Sequence, residues 1–185
     1  MTREEALKYV QSRTKNVNLV KHMLAVEAEM KGLAKHFSED EELWGLAGLV
    51  HDADYEEMKE KHPSAEFFKQ LKELKFDPKI IQAVKAHGWN FQPGLPEPQT
   101  KMEWSLYCCD ELSGLIIACT LVRPERKLAT VTVESVLKKW KEKSFAAGVH
   151  REQIALCEEK LGIPLPEFVE LSLKAMQDVS SELGL

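Results

Sequence analysis

Between Leu19 and Phe37 the apolar residues Leu19, Met23, Val26, Met30, Leu33 and Phe37 recur at alternating steps of three and four. That spacing draws one stripe along a long amphipathic helix beginning at Asn16 or Asn18. A shorter helix is predicted before it, because Thr2 and Glu5 match a capping box and Ala6, Tyr9 and Val10 then fall on one side. Ser38 followed by Glu41 offers a second capping box, for a helix through Leu43, Trp44, Leu46, Ala47, Leu49 and Val50. This segment is apolar almost all round and is therefore expected to be buried. Gly45 and Gly48 share a face of it, and each costs about 1 kcal/mol relative to Ala inside a helix, so a neighbour should pack close to that backbone.

Pro63 suits the first turn of another helix, through Phe67, Phe68, Leu71 and Leu74, with His62 at or just before its start. Asp77 and Pro78 open the next, KIIQAVKAH, which should stop at Gly88 with His87 in its last turn. In WNFQPGLPEPQ the prolines at 93, 96 and 98 exclude regular structure, and Trp89 and Phe91 make the segment read as a flap. Met102 to about Val122 is a strongly apolar helix interrupted by Asp110. Further helices are expected near Ser135 to Lys143, near Arg151 to Leu161 before Gly162, and from about Pro166 to Leu183. The only strand-like run, Val131 to Val133, is too brief to weigh. The fold class predicted is all-α, a helical bundle forming a single domain over residues 1–185.

Composition fits that picture. With 185 residues, 44% of them hydrophobic, the chain can bury one substantial core. A formal charge of -5 argues against extended nucleic-acid binding, although Lys138, Lys139, Lys141 and Lys143 could form a local cationic face for small anions. The opening MTREEALKYV is too charged for a signal peptide, and the apolar run around Gly114 to Val122 is too short to span a bilayer. Cys108 and Cys109 are neighbours while Cys119 and Cys157 stand alone, which is neither a zinc pattern nor a disulfide framework. A cytoplasmic location and no membrane partner are expected; the oligomeric state is left open.

The chemistry lies in polar residues placed where the pattern is apolar: His22, His51, Asp52, His62, His87 and Asp110. An ionised carboxylate in core sequence loses several kcal/mol of solvation unless a cation compensates. A metal ion supplies that compensation, with neutral imidazoles completing a nitrogen and oxygen shell.

In this order, His22, the doublet His51-Asp52 and the distant Asp110 resemble the H…HD…D pattern of the HD-domain metal-dependent phosphohydrolases, over roughly residues 18–122. His62 in HPSAEFF and His87 in VKAHG resemble the extra histidines of the HD subgroups that bind two metals. As a whole the chain is similar to small bacterial HD proteins. The resemblance implies that His22, His51, Asp52 and Asp110 hold a first ion and that His62 and His87 hold a second, with Asp52 bridging. It departs where Ala53-Asp54 stand in place of the Ile-Gly of many relatives and the Lys that often follows is missing.

The function this implies is hydrolysis of a phosphoester or phosphoanhydride bond of a small phosphorylated, nucleotide-like substrate by metal-activated water. The cofactor would be one or two divalent transition ions, Fe, Mn, Co, Ni or Zn, among which imidazole and carboxylate ligands do not select. Two alternatives stay open: an HD-fold di-iron oxygenase, and a bundle retained only as a binding or signalling module. Asp52, Asp54 and Lys143 are the candidates for direct catalytic roles, Asp54 as a partner of a ligand histidine, a substrate contact or a proton carrier, and Lys143 as a phosphate contact anchored by Ser144 and Phe145. Arg123, Arg126, Lys139 and Arg151 are further phosphate-facing candidates, and Trp89 and Phe91 could stack on a base. His36 and His150 read as surface residues, and the cysteines as core.

Overall fold

Thr2 and Glu5 close their capping box, and α1 runs Arg3–Arg13 with Ala6 and Val10 buried. Asn16 caps α2, Val17–Phe37, whose buried stripe includes Met23, Val26, Met30 and Leu33. The computed structural model describes residues 1–185 and is all-α, without a strand, as the sequence pattern predicts. The succeeding helices are α3 (Glu41–Val50), α4 (Tyr55–Met58), α5 (Ala65–Glu73), α6 (Pro78–His87) and α7 (Lys101–Leu121). Beyond them lie α8 (Val133–Trp140), α9 (Arg151–Leu156), α10 (Leu165–Asp178) and α11 (Ser180–Leu183).

Several boundaries differ from the sequence expectation, each for a local reason. Ser38 does not cap α3; it ends α2 in the left-handed region at φ 58°, and the Asp40 carboxylate caps α3 by accepting the Leu43 N–H at 3.0 Å. Pro63 is not inside α5, because Ser64, one residue later, supplies the cap to the Phe67 N–H at 3.1 Å. The segment after Arg151 is α-helical only to Leu156 and continues as a π-helical turn, Cys157–Leu161, before Gly162. The last helix breaks at Val179. Val131 closes a 3-10 turn and Thr132 caps α8, so no strand forms there.

α2 sits at the centre, against α3, α7 and α10. The small residues set how close these helices come. A methyl group at Gly48 would stand 2.7 Å from the Val26 carbonyl oxygen, so α3 lies directly on the backbone of α2. Gly45 admits only the flexible Lys31 side chain, and a methyl at Gly32 would stand 3.1 Å from the Ala175 Cβ of α10. α7 is long and apolar enough, by length and composition alone, to cross a membrane, yet it is mostly buried within the bundle, contributing Leu106, Leu112, Leu115 and Ile116 to the core. One buried cluster extends from Ala6 to Leu183. The functional consequence is that the C-terminal ends of α3 and α6 meet the middle of α7 and the first turns of α2.

Candidate metal centre

Those four places carry the histidines and aspartates. His22 lies in the second turn of α2, His51 caps the C-terminus of α3 with Asp52 just beyond it, His87 ends α6, and Asp110 lies midway along α7. His62 reaches the same point from the segment between a 3-10 turn and α5. His22 Nε2 stands 3.0 Å from Asp110 Oδ1, 3.3 Å from His51 Nε2 and 3.6 Å from Asp52 Oδ2. On the other side of Asp52, Oδ1 is 2.8 Å from His62 Nε2 and 3.7 Å from His87 Nε2, and those two nitrogens are 2.9 Å apart. Two groups that could each hold a metal ion therefore exist, His22–His51–Asp52 and Asp52–His62–His87, and Asp52 is common to both.

The outer nitrogens show what the inner ones are for. His51 Nδ1 donates to the Gly48 carbonyl at 2.7 Å and His87 Nδ1 to the Val84 carbonyl at 2.5 Å, in each case three residues back on its own helix. Ser113 Oγ donates to the Asp110 carbonyl at 2.8 Å, which leaves its lone pairs to accept from His22 Nδ1 at 3.0 Å. His62 Nδ1 donates to Asp54 Oδ1 at 2.5 Å. All four imidazoles thus carry a proton on Nδ1 and turn Nε2 inward, the arrangement in which a partner on one ring nitrogen fixes the other as a metal ligand. Two unprotonated Nε2 atoms facing each other about 3 Å apart repel unless a cation lies between them, so the donor set fits a metal.

The model of the HD domain matches residues 19–115, more than half of the chain. The chain belongs to the HD-domain family. Comparison with curated proteins returned no match, and neither did comparison with solved structures. The matched span contains all six of His22, His51, Asp52, His62, His87 and Asp110 and stops before α8.

Within this HD domain the carboxylates and imidazoles of the pocket shift one another's ionisation. Burial pulls the His51 imidazole down, but Asp52 and Asp110 overcome it and raise the pKa to about 9. His62 is likewise penalised by burial and lifted by Asp52 and Asp54 to about 10. Burial lowers His87 and is not overcome. Asp52 and Asp110, although burial opposes their ionisation, are held well below the usual carboxylate range, chiefly by His51 and, for Asp52, by His62 as well. Binding of an ion at these Nε2 atoms displaces any proton they carry.

Of the other sequence candidates, Asp54 is brought in and Lys143 is not. Asp54 is fully buried, with Oδ1 on His62 and Oδ2 accepting the Ser64 N–H at 2.9 Å. Lys143 is exposed and enters no hydrogen bond or ion pair; the ammonium over the Phe145 ring belongs to Lys139, at 4.8 Å, which also pairs with Glu142 at 2.6 Å. Arg151 directs its guanidinium at backbone carbonyls, among them Trp140 at 3.0 Å and Phe145 at 2.6 Å, and so pins the loop after α8 instead of facing the pocket. The flap divides: Trp89 packs edge-on to Trp104 and against Tyr107, whereas Phe91 is exposed and meets the His150 ring at 5.2 Å. His150 is at the surface, as expected, but Glu111 holds both its backbone N–H and its Nδ1, at 2.9 and 2.8 Å. His36 is exposed, and all four cysteines are free and buried.

Ser113 was not foreseeable from residue type alone. Its signal is position: three residues after Asp110, it shares that face of α7, where a hydroxyl in otherwise apolar sequence needs a partner.

Proposed function

We propose that this HD domain is a metal-dependent phosphohydrolase that cleaves a phosphoester or phosphoanhydride bond of a small, nucleotide-like substrate. The observation that carries the reading is the pair of ligand groups meeting at one carboxylate, Asp52, with every imidazole fixed to present Nε2. His22, His51, Asp52 and Asp110 would hold a first divalent ion, and Asp52, His62 and His87 a second. Such ions, when bound, lower the pKa of water toward neutrality and neutralise charge on the attacking and leaving oxygens at phosphorus.

The chain's own groups define the direction of approach. The His22 and Asp110 side chains of the first group are 20% and 22% exposed, while His62 and His87 of the second are 8% and 3% exposed. Substrate therefore enters over the first ligand group, with the second at the bottom. Support for a nucleotide-like substrate comes from Phe91 on the flap and His150, two rings in edge-on contact, the second held by Glu111, the residue after Asp110. A flat base could lie against them. Mixed imidazole and carboxylate ligands suit Fe, Mn, Co, Ni or Zn. Four free, buried thiols and no disulfide agree with a cytoplasmic protein.

The test is elemental analysis of protein purified without chelator or affinity histidines, followed on that sample by a screen of phosphomonoesters, cyclic dinucleotides and dinucleoside polyphosphates. Bound transition metal together with phosphate or nucleotide release under anaerobic conditions is expected. Oxygen uptake without phosphate release would place the chain with the di-iron oxygenases of this fold, and protein that binds no metal would make it a binding module.

A further inference from the structure

We propose that Asp54 is a positioning residue that builds the second metal site, acting through His62 and not on the substrate. The inference rests on the two-ion reading above and assigns what makes the second group competent. Three observations support it. Asp54 stands at the N-cap position of α4, where an aspartate ordinarily accepts a backbone N–H of the first turn, but its side chain caps nothing. Both oxygens turn inward instead, Oδ1 to His62 Nδ1 at 2.5 Å and Oδ2 to the Ser64 N–H at 2.9 Å, so one carboxylate grips the residues on both sides of Pro63. Finally, among the four histidines only His62 has a charged acceptor on its outer nitrogen; His22, His51 and His87 rely on a hydroxyl and two carbonyls.

The asymmetry has a physical reason. His51 and His87 end helices, and His22 lies within one, so a regular backbone already aims each ring. His62 belongs to the segment between a three-residue 3-10 turn and α5, which offers no such frame. Asp54, two residues past the shared ligand Asp52, supplies the frame by tying that segment back to the end of α3. A carboxylate on Nδ1–H also makes Nε2 a stronger donor than a neutral acceptor does. The same geometry removes Asp54 from the catalytic candidates: it is fully buried and both oxygens are engaged, so contact with substrate would require breaking two hydrogen bonds.

The neighbouring acids show that this role belongs to Asp54 alone within its stretch. Glu56 accepts the backbone N–H groups of Lys15 and Asn16 at 2.7 and 3.0 Å, and Glu57 pairs with Arg13. Both secure the entry to α2, not the pocket.

Asp54→Asn is isosteric but turns an NH2 group, a donor, toward either His62 Nδ1–H or Ser64 N–H, which sit on different oxygens, and Asp54→Ala removes both bonds. Full-length wild type and both variants, stripped of metal, would be titrated with Mn²⁺ in a competing chelator, the stepwise affinities read separately. The second affinity should fall about 10- to 100-fold, with the first changed little. In a His62→Ala background the Asp54 substitutions should have no further effect on metal binding. Asp40→Ala, which removes the cap of α3, serves as the control for a merely structural loss: it should lower the melting temperature without separating the two affinities. Two affinities within about twofold of wild type in Asp54→Ala would overturn the proposal. Wild type that takes up no second ion would overturn the two-ion reading itself, a different result from equal affinities in the variant.

Discussion

Two buried acidic regions share α2 and α7 and behave in opposite ways. In the histidine pocket, Asp52 and Asp110 lie among imidazoles that keep them ionised. Two turns further along α2, Glu29 is fully buried, its carboxyl near only the Ser172 hydroxyl of α10, without a well-formed hydrogen bond to either oxygen. Burial, aided by repulsion from Asp110, holds its pKa well above the usual range, which favours the neutral form. A carboxyl in an apolar helix is thus not in itself a sign of a metal site. What separates the regions is convergence: imidazoles from α2, α3, α6 and the segment before α5 meet at Asp52, whereas no cationic or imidazole group reaches Glu29. Glu27, also buried on α2, shows a third outcome, paired with Arg3 at 2.5 Å and Lys31 at 2.9 Å.

The most severe way to break this comparison is to remove the shared acid. Asp52→Ala should abolish metal retention at both sites and lower turnover on the order of 10³-fold or more, because the one carboxylate common to both ligand groups is gone. Glu29→Ala should leave metal content unchanged. Elemental analysis beside single-turnover rates decides it, and Asp52→Ala protein that keeps two ions would mean that the acids of the pocket are no more functional than Glu29.

Much of this was legible in the residues. The stripe from Leu19 to Phe37, the caps at Thr2, Asn16 and Asp77, and the stop at Gly88 are local features, and the helices follow them. His22, His51, Asp52, His62, His87 and Asp110 were visible because titratable groups interrupt apolar runs. By that rule Glu27 and Glu29 interrupt α2 as well, and only packing tells them from His22. The basic residues after α7 show the same limit: Arg123, Lys143 and Arg151 are interchangeable as charges in sequence, but Arg151 is the one folded inward, onto carbonyls. The Ser38–Glu41 pattern mimics a cap for α3, but Ser38 is used up in ending α2 in the left-handed region and Asp40 caps α3 instead.

A milder change sharpens the comparison by disturbing one region through the backbone. Gly48→Ala would place a methyl 2.7 Å from the Val26 carbonyl oxygen and 2.9 Å from the Glu27 Cα, neither of which can rotate away, so α3 must shift off α2. The expected loss is about 1–3 kcal/mol of stability by chemical denaturation. Since Gly48 also supplies the carbonyl that orients His51, the first metal site should weaken with it. Unchanged stability and unchanged metal affinity would show that the close approach of α2 and α3 does not set the pocket.

The smallest expected effect tests the other region. Glu29 is neutral in the folded protein and ionised in the unfolded chain above its ordinary pKa of 4.5. Between that value and its raised folded pKa, unfolding releases a proton, so this residue's contribution makes stability fall as pH rises. Glu29→Gln cannot ionise and should remove that slope. The variant should gain on the wild type progressively from pH 5 to pH 8, with the largest gain in stability and in Tm at the upper end. The two should converge toward pH 4. The comparison is made on metal-loaded protein, because His51 and His62 titrate between their ordinary value and about 9 to 10 in the metal-free pocket and would add a falling slope of their own to both proteins. A parallel pair of stability curves across this range would mean that Glu29 is ionised in the folded state, and that a compensating cation reaches it as one reaches Asp52.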